Sequence, residues 1–234
     1  MIPGTLCDAA LFRHQLSGLK EIADCQVADN SSANTLVEVA ANILATVQGS
    51  FSIMGLSYGG IIAFEMWRQA AERIERMILL NTNYKKPSDT TRANQQRFLG
   101  MSVLGEFREI TTDFLKDAML HPRHAKQPKM REAVLQMALR TGKAAFFNQI
   151  KAQLNRPDST KDLPHIQCPT LIMTGRQDKV CTPVLHYEMA GLIPNSQLTI
   201  IENCGHLSTL EQPKEVNQII KDWWRNATLR VAPT

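Results

Sequence analysis

Short apolar stretches alternate with segments of helical periodicity along much of the chain. Four stretches have the length, composition and flanking residues of buried β-strands, namely residues 51–56, 76–81, 168–175 and 197–202. Helical patterns follow three of them, at residues 58–73, 183–192 and 213–224. Strands separated by helices predict parallel βαβ units with right-handed crossovers, and therefore an α/β fold with a mostly parallel sheet and flanking helices.

The region between the second and third predicted strands has a different pattern. No stretch in it resembles a strand, and apolar residues recur at helical spacing in residues 92–103, 106–120, 129–140 and 143–154. About 70 residues of helix exceed an ordinary crossover, which favours an inserted helical cap over a further helical layer of the same core. We therefore expect three parts, a core segment, a cap and a second core segment, at residues 1–83, 84–156 and 157–234.

Composition and charge narrow the class of protein. With 44% hydrophobic and 21% charged residues among 234, the chain has average globular composition, which excludes a disordered or coiled-coil protein. The net charge is +4, and basic and acidic residues are interspersed, so neither a nucleic-acid-binding arm nor a membrane-binding patch is predicted. No uncharged stretch is long and apolar enough to span a bilayer.

Cysteine usage indicates the cellular compartment. The chain has five cysteines, an odd number without C-x-x-C spacing, which argues against a disulfide framework and against a zinc site. The first residues have neither the basic region nor the apolar region of a secretory signal. Both observations favour a reducing compartment, and we expect a cytoplasmic protein.

Gly55-Leu-Ser-Tyr-Gly matches the pattern G-x-S-x-G where a predicted strand gives way to a predicted helix. In a nucleophile elbow this turn is so tight that the residues two before and two after the serine must be small, as Gly55 and Gly59 are. The turn forces the serine, here Ser57, into a strained and exposed position. The alternative is a glycine-rich turn with an incidental serine.

A serine hydroxyl is a weak nucleophile and needs a base and an orienting acid. Of six histidines, only His206 directly follows the last predicted strand, and Asp178 ends the loop after the third. The chain order Ser57, Asp178, His206 is nucleophile, acid, base, and each residue follows the carboxyl end of its own strand, where open α/β sheets bind ligands. Asp178 alone would also suit a helix cap or a turn.

The other histidines suggest no metal site. His121 and His124 form an H-x-x-H pair in the predicted cap without a carboxylate at ligand spacing, so we interpret them as a surface pair. His186, on the helix predicted at residues 183–192, is interpreted as a partly exposed packing residue.

Acyl chemistry also needs hydrogen-bond donors for a developing oxyanion. The backbone N–H of Tyr58, the residue after the serine, is the first predicted donor. The second is the N–H of Thr5 in the loop Pro3-Gly-Thr-Leu, for which an ordinary N-terminal turn is the alternative. Substrate contacts are predicted for four apolar residues, although helical spacing in the cap fits core packing as well: Leu6, Phe107, Phe114 and Phe146.

With these motifs, the sequence resembles the α/β-hydrolase superfamily over nearly its whole length. The most specific segments are Gly55-Leu-Ser-Tyr-Gly-Gly, Pro169-Thr-Leu-Ile-Met-Thr-Gly-Arg-Gln-Asp and Gly205-His-Leu-Ser-Thr-Leu-Glu-Gln-Pro. The last is similar to the ending of small bacterial esterases and 3-oxoadipate enol-lactone hydrolases, and Pro3-Gly-Thr-Leu-Cys-Asp resembles their oxyanion loop. The resemblance implies a catalytic triad of Ser57, Asp178 and His206, with an oxyanion hole formed by Thr5 and Tyr58.

The chain departs from that family pattern at its N-terminus. Relatives carry strands before the oxyanion loop, whereas only Met1 and Ile2 precede Pro3 here. Without the neighbouring central strand, the strand at residues 51–56 is expected to leave an unpaired edge. A start codon upstream of Met1 and a genuinely shortened protein both fit this departure.

The function expected from these residues is hydrolysis of a carboxylic ester, thioester or lactone through an acyl-enzyme. The expected partner is a small-molecule substrate, with no nucleic acid, membrane, metal or organic cofactor. An acyltransferase or cofactor-free peroxidase would use the same three residues. A hydrolase fold kept as a binding protein is the non-enzymatic alternative.

Overall fold

The computed structural model describes the backbone of residues 1–110 and 116–231, and side chains within residues 1–110 and 118–226. In these residues it contains four strands, all parallel, in the spatial order β1-β2-β3-β4. Their bounds are β1 Phe51–Leu56, β2 Ile74–Leu80, β3 Thr170–Gly175 and β4 Ser196–Ile201. The α/β fold and all four predicted strands are confirmed.

Helices occupy most of the remaining described chain. They are α1 Arg13–Gly18, α2 Leu36–Thr46, α3 Tyr58–Ala70, α4 Asp89–Val103, α5 Phe107–Glu109, α6 Lys116–Met119, α7 Pro122–Ala125, α8 Pro128–Leu154, α9 Pro183–Leu192, α10 Ser208–Glu211 and α11 Pro213–Val231. Short 3-10 turns lie at Ala9–Phe12, Ala71–Arg73 and Leu163–His165. Within the described chain, no helix has both the length and the apolar character needed to cross a membrane.

The sheet has a hydrophobic cluster on each face, because successive side chains of a strand point to opposite sides. Ile53 and Leu79 belong to the cluster that includes residues of α2, α3 and α9. Met54 and Leu80 belong to the other cluster, which includes residues of α11 and of the 3-10 turn Ala9–Phe12. The carboxyl ends of parallel strands lie at one edge of the sheet, so the loops after all four strands meet there.

The described residues between β2 and β3 form helices joined by loops and contain no strand, as predicted. Helix α8 contains a break at Gly142, whose φ is 79°, so it consists of two helical stretches that match the predicted segments 129–140 and 143–154. Of the helix predicted at 106–120, the described residues show α5 and α6, and residues 111–115 lie outside the described part. The division into three parts stays a prediction.

Ile2 pairs with the end of β1 on the side away from β2. Its N–H donates to the Met54 carbonyl at 2.8 Å, and its carbonyl accepts from the Leu56 N–H at 3.2 Å. The beginning of β1 instead borders a cavity of about 520 Å³, which residues 22–28 also line. Ile2 thus anchors the loop that follows it beside the carboxyl end of β1.

His186 is not the partly exposed residue that the sequence suggested. It is 0% exposed, because α9 packs this face of the helix against the sheet. Its Nε2 accepts a hydrogen bond from the Thr82 N–H at 3.1 Å, and its Nδ1 lies 3.0 Å from the Thr182 carbonyl. This pairing requires the neutral imidazole with the proton on Nδ1. Burial lowers the pKa of His186 to about 4.

The turn from β1 into α3 is closely packed. An added Cβ on Gly55 would overlap the backbone of Gly59 and Gly60, which are held by the first turn of α3. Backbone atoms cannot move aside as a flexible side chain can, so a side chain at this position must displace the helix from the strand.

We predict that His186 makes the protein less stable in acid. Between pH 6.5 and about 4 the unfolded chain binds a proton at this residue and the folded chain does not, so the free energy of unfolding falls as pH is lowered. At about 1.4 kcal/mol per pKa unit, the full loss is on the order of 3 kcal/mol. Between pH 7 and pH 4, the melting temperature of His186→Gln should fall less than that of the parent protein. The exposed control His165→Gln should follow the parent, and an unchanged slope in His186→Gln contradicts the prediction.

We predict that Gly55→Ala destabilises the fold by about 1–3 kcal/mol, the usual cost of overpacking. Gly100→Ala is the matched control, because it lies in α4 and nothing is within 4 Å of its added Cβ. That control should be neutral or stabilise by up to about 1 kcal/mol. Denaturant unfolding measures both, and equal stability of the two variants would show that the turn tolerates a side chain.

Candidate active site

Ser57 lies between β1 and α3 with a backbone φ of 56° and ψ of −115°. A positive φ is uncommon for a serine and marks strain that surrounding structure must hold. The Ser57 N–H donates to the Leu80 carbonyl at 2.9 Å, and the Thr82 hydroxyl donates to the Ser57 carbonyl at 2.7 Å. The strained residue is therefore fixed from both sides by the end of β2, and its side chain is partly exposed.

The structure brings Ser57, His206 and Asp178 together, as the motifs predicted. His206 Nε2 lies 2.9 Å from Ser57 Oγ, although the two residues are 149 positions apart in the chain. His206 Nδ1 lies 2.8 Å from Asp178 Oδ2. His206 is 1% exposed and Asp178 3%. Because Nδ1–H donates a hydrogen bond to the carboxylate, the neutral imidazole has an unprotonated Nε2 that can accept a hydrogen bond from the Ser57 hydroxyl.

The Asp178 carboxylate is held by four hydrogen bonds. The N–H groups of Val180 and Cys181 donate to Oδ1 at 2.8 and 2.9 Å. Asn81 Nδ2 donates to Oδ2 at 2.9 Å, beside the bond with His206. Burial by itself would raise the pKa of Asp178, but the charge of His206 and these hydrogen bonds outweigh it and lower the pKa below its ordinary value. Asp178 is therefore an anion at neutral pH.

Asn81 is a site residue that the sequence reasoning missed. It follows β2 with a left-handed φ of 46° and is fully buried. Besides Asp178, its Nδ2 contacts the Gly205 carbonyl at 3.1 Å, and its Oδ1 accepts from the Ser208 hydroxyl at 2.6 Å. Asn81 thus connects the loops that carry Asp178 and His206. A polar residue directly after an apolar strand, at the same edge as Ser57, was the signal that could have identified it.

Glu211 is a second missed residue, and it corrects the interpretation of the H-x-x-H pair. Its buried Oε1 accepts from the N–H groups of Gly205 and Leu207, at 3.0 and 3.2 Å, on both sides of His206. Its Oε2 accepts from the His121 N–H at 2.7 Å and contacts His124 Nδ1 at 2.8 Å. His124 is therefore bound to a buried carboxylate from a distant part of the chain, which local spacing could not predict. Where the structure describes side chains, no three ligand-type residues cluster as a metal site.

The loop Pro3-Gly-Thr-Leu lies directly against Ser57. An added Cβ on Gly4 would be 3.3 Å from the Cβ of Ser57. The Leu6 N–H donates to Gln149 Oε1 at 3.0 Å, so it is already paired within the protein. Tyr58 is the first residue of α3, so its N–H has no acceptor within the helix. The assignment of the Thr5 and Tyr58 N–H groups as oxyanion donors stays a prediction.

Three of the predicted substrate contacts meet in one apolar cluster with residues of α8. Leu6 and Phe146 are almost fully buried there, and Phe107 packs against it with its ring centroid 5.8 Å from that of Phe146. This arrangement fits the core-packing alternative as well as a pocket wall. Phe114 lies outside the described residues. Substrate contact by these residues stays a prediction.

Comparison with known proteins supports a hydrolase. A family model described as alpha/beta hydrolase fold matches residues 23–213. The chain is 24% identical over 211 residues to the 2-hydroxy-6-oxononadienedioate/2-hydroxy-6-oxononatrienedioate hydrolase of Burkholderia vietnamiensis, covering 87% of this chain and 72% of that protein. It is 31% identical over 78 residues to the monoacylglycerol lipase ABHD6 of Rattus norvegicus, covering 33% of this chain and only 23% of the lipase.

Solved structures resemble the chain over nearly its full length. A thermophilic esterase from Thermogutta terrifontis superposes with a TM-score of 0.85 and 26% identity, covering 97% of this chain and 88% of the esterase. The enol-lactonase from Burkholderia xenovorans superposes with a TM-score of 0.79 and 17% identity, covering 95% of this chain and 89% of that one, and this likeness concerns the fold alone. Because the family model spans most of the sequence, the chain belongs to the alpha/beta hydrolase fold family.

Proposed function

We propose that the protein hydrolyses a carboxylic ester, thioester or lactone, with Ser57 as nucleophile, His206 as base and Asp178 as orienting acid. The observation that carries the proposal is the continuous hydrogen-bonded chain from the Ser57 hydroxyl through a buried imidazole to a buried carboxylate. The similarity to proteins named as an esterase, a lipase and hydrolases supports hydrolytic chemistry in general.

In the acylation step, His206 Nε2 takes the proton from Ser57 Oγ as this oxygen attacks the carbonyl carbon of the substrate. The carbonyl π electrons move to the oxygen and form a tetrahedral oxyanion. Asp178 stabilises the imidazolium and keeps its Nδ1 proton in place. The imidazolium then protonates the departing alkoxide or thiolate as the bond to the carbonyl carbon breaks, which leaves the acyl group on Ser57.

Two backbone N–H groups, from Tyr58 and Thr5, are the proposed donors to the oxyanion. Each such donor contributes about 10²–10³ in rate when it is aimed at the position that the oxyanion occupies. In the second step, His206 removes a proton from a water molecule that attacks the acyl-enzyme. The products are a carboxylic acid and a free Ser57 hydroxyl, and this sequence of steps requires no metal or organic cofactor.

The proposal also covers the acyl group of the substrate and the cellular location of the protein. An apolar acyl group would contact the cluster around Leu6, Phe107 and Phe146, since Leu6 adjoins the proposed oxyanion donor. All five cysteines are free thiols, which supports a reducing, cytoplasmic location.

We predict that Ser57→Ala abolishes covalent labelling by a fluorophosphonate and hydrolysis of p-nitrophenyl esters, because no nucleophile remains. The exposed Ser17→Ala is the matched control and should react like the parent. Intact mass after labelling should show one adduct on the parent chain and none on Ser57→Ala. A folded parent chain that takes no label, or a Ser57→Ala chain that hydrolyses esters, would contradict the proposed function.

We predict that Asp178→Asn lowers kcat by about 10³–10⁴-fold, because an amide cannot stabilise the imidazolium or fix its tautomer. The exposed Asp24→Asn is the control for loss of one negative charge and should keep the parent kcat. Steady-state kinetics at pH 7 to 9 measure the difference. A loss of less than tenfold in a folded Asp178→Asn protein would exclude Asp178 as the acid.

A further inference from the structure

Amide side chains hold the loop that carries the proposed oxyanion donor. Asn30 Nδ2 donates to the Pro3 carbonyl at 2.7 Å, and Gln153 Nε2 donates to the Thr5 hydroxyl at 2.9 Å. Gln149 Oε1 accepts from the Leu6 N–H at 3.0 Å. The loop is therefore anchored on both sides of the Gly4–Thr5 peptide, the unit that carries the donor N–H.

Gln149 is the centre of this network. It is 0% exposed, and while its oxygen accepts from Leu6, its Nε2 donates to Asn30 Oδ1 at 2.8 Å. Asn30 is also buried, and its Nδ2 in turn donates to the Pro3 carbonyl. A buried amide that loses its partners is costly, so each of these bonds constrains the next. The two anchor points of the loop are thus linked through one side chain of α8.

The conformation of the loop shows why such an anchor is needed. Leu6 has a left-handed φ of 58°, which a leucine adopts only where other contacts enforce it. The N–H of Leu6 is the group that donates a hydrogen bond to Gln149 Oε1. Because the peptide unit is planar, the ψ of Gly4 and the φ of Thr5 decide where the Thr5 N–H points. Without the anchor, the loop could relax and turn that donor away from Ser57.

We propose that Gln149 is a positioning residue for the oxyanion hole. Through its bonds to Leu6 and Asn30 it holds the Thr5 N–H towards the carbonyl oxygen of the substrate. This inference rests on the proposed function and adds a residue of the inserted helical region to it. Its side chain touches no reacting atom, so it acts on the reaction only through the loop.

Loss of this positioning affects the transition state more than the bound substrate, because the negative oxygen exists only after attack. In Gln149→Leu we therefore expect kcat for a p-nitrophenyl ester to fall by about 10–10³-fold with KM changed less than about threefold. A purely structural role would instead lower the melting temperature and the folded fraction while leaving kcat per folded molecule unchanged.

The experiment compares the parent with Gln149→Leu, Gln149→Glu and Gln136→Leu. Gln136 lies on the same helix, exposed, and bonds only to Glu132 Oε1 at 2.7 Å, so its variant should keep the parent kcat. Gln149→Glu keeps an acceptor for the Leu6 N–H and should recover part of the lost kcat. Titration with a trifluoromethyl ketone, which forms a hemiketal oxyanion with Ser57, should give a Ki that rises by the same factor as kcat falls.

The outcomes separate this inference from the proposed function. An active parent and a folded Gln149→Leu with parental kcat and Ki would overturn the inference alone. A folded parent that neither takes the fluorophosphonate label nor hydrolyses esters would overturn both. If Gln149→Leu does not fold, Gln149→Glu takes its place, because it loses the Nε2–H donor to Asn30 Oδ1. It should lower kcat severalfold at constant KM, and a parental kcat in it would again overturn the inference.

Discussion

Ser57 keeps its left-handed backbone because the elements on both sides leave it no other conformation. The Leu80 carbonyl binds its N–H and the Thr82 hydroxyl binds its carbonyl, while the packed glycines keep α3 against β1. A residue in such a conformation costs on the order of 1–3 kcal/mol, which sheet pairing and helix packing offset. The hydroxyl is consequently presented at the sheet edge where His206 reaches it. The other loops of the site are arranged around this fixed point.

Three buried polar side chains connect those loops. Asn81 joins the loop of Asp178 to that of His206, and Glu211 joins the loop of His206 to residues 121–124. Gln149 joins the N-terminal loop to α8. Each has partners from at least two separate parts of the chain. Because an unpaired buried polar group is costly, such residues favour one arrangement of the loops over others that apolar packing alone would allow.

The helical region between β2 and β3 directly contacts the loop beside Ser57. Helix α8 packs Phe146 and Ile150 against Leu6, and the same stretch bonds to the loop through Gln149 and Gln153. Apolar contact and hydrogen bonding therefore reach the loop from one helix. A shift of α8 would therefore act on the backbone beside Ser57.

The sequence by itself determined the strands, the parallel sheet and the meeting of Ser57, Asp178 and His206, because these follow from local rules. Side-chain periodicity and turn chemistry involve neighbouring residues, and G-x-S-x-G requires small residues only within five positions. Once the strands are parallel, their carboxyl ends meet, so Ser57, Asp178 and His206 could be expected together. The tertiary structure alone decided the burial of His186 and the hydrogen-bond partners of Glu211 and Gln149. Glu211 bonds to a residue 90 positions away in the chain, and Gln149 to one 143 positions away. No local pattern specifies which distant backbone group a buried side chain meets.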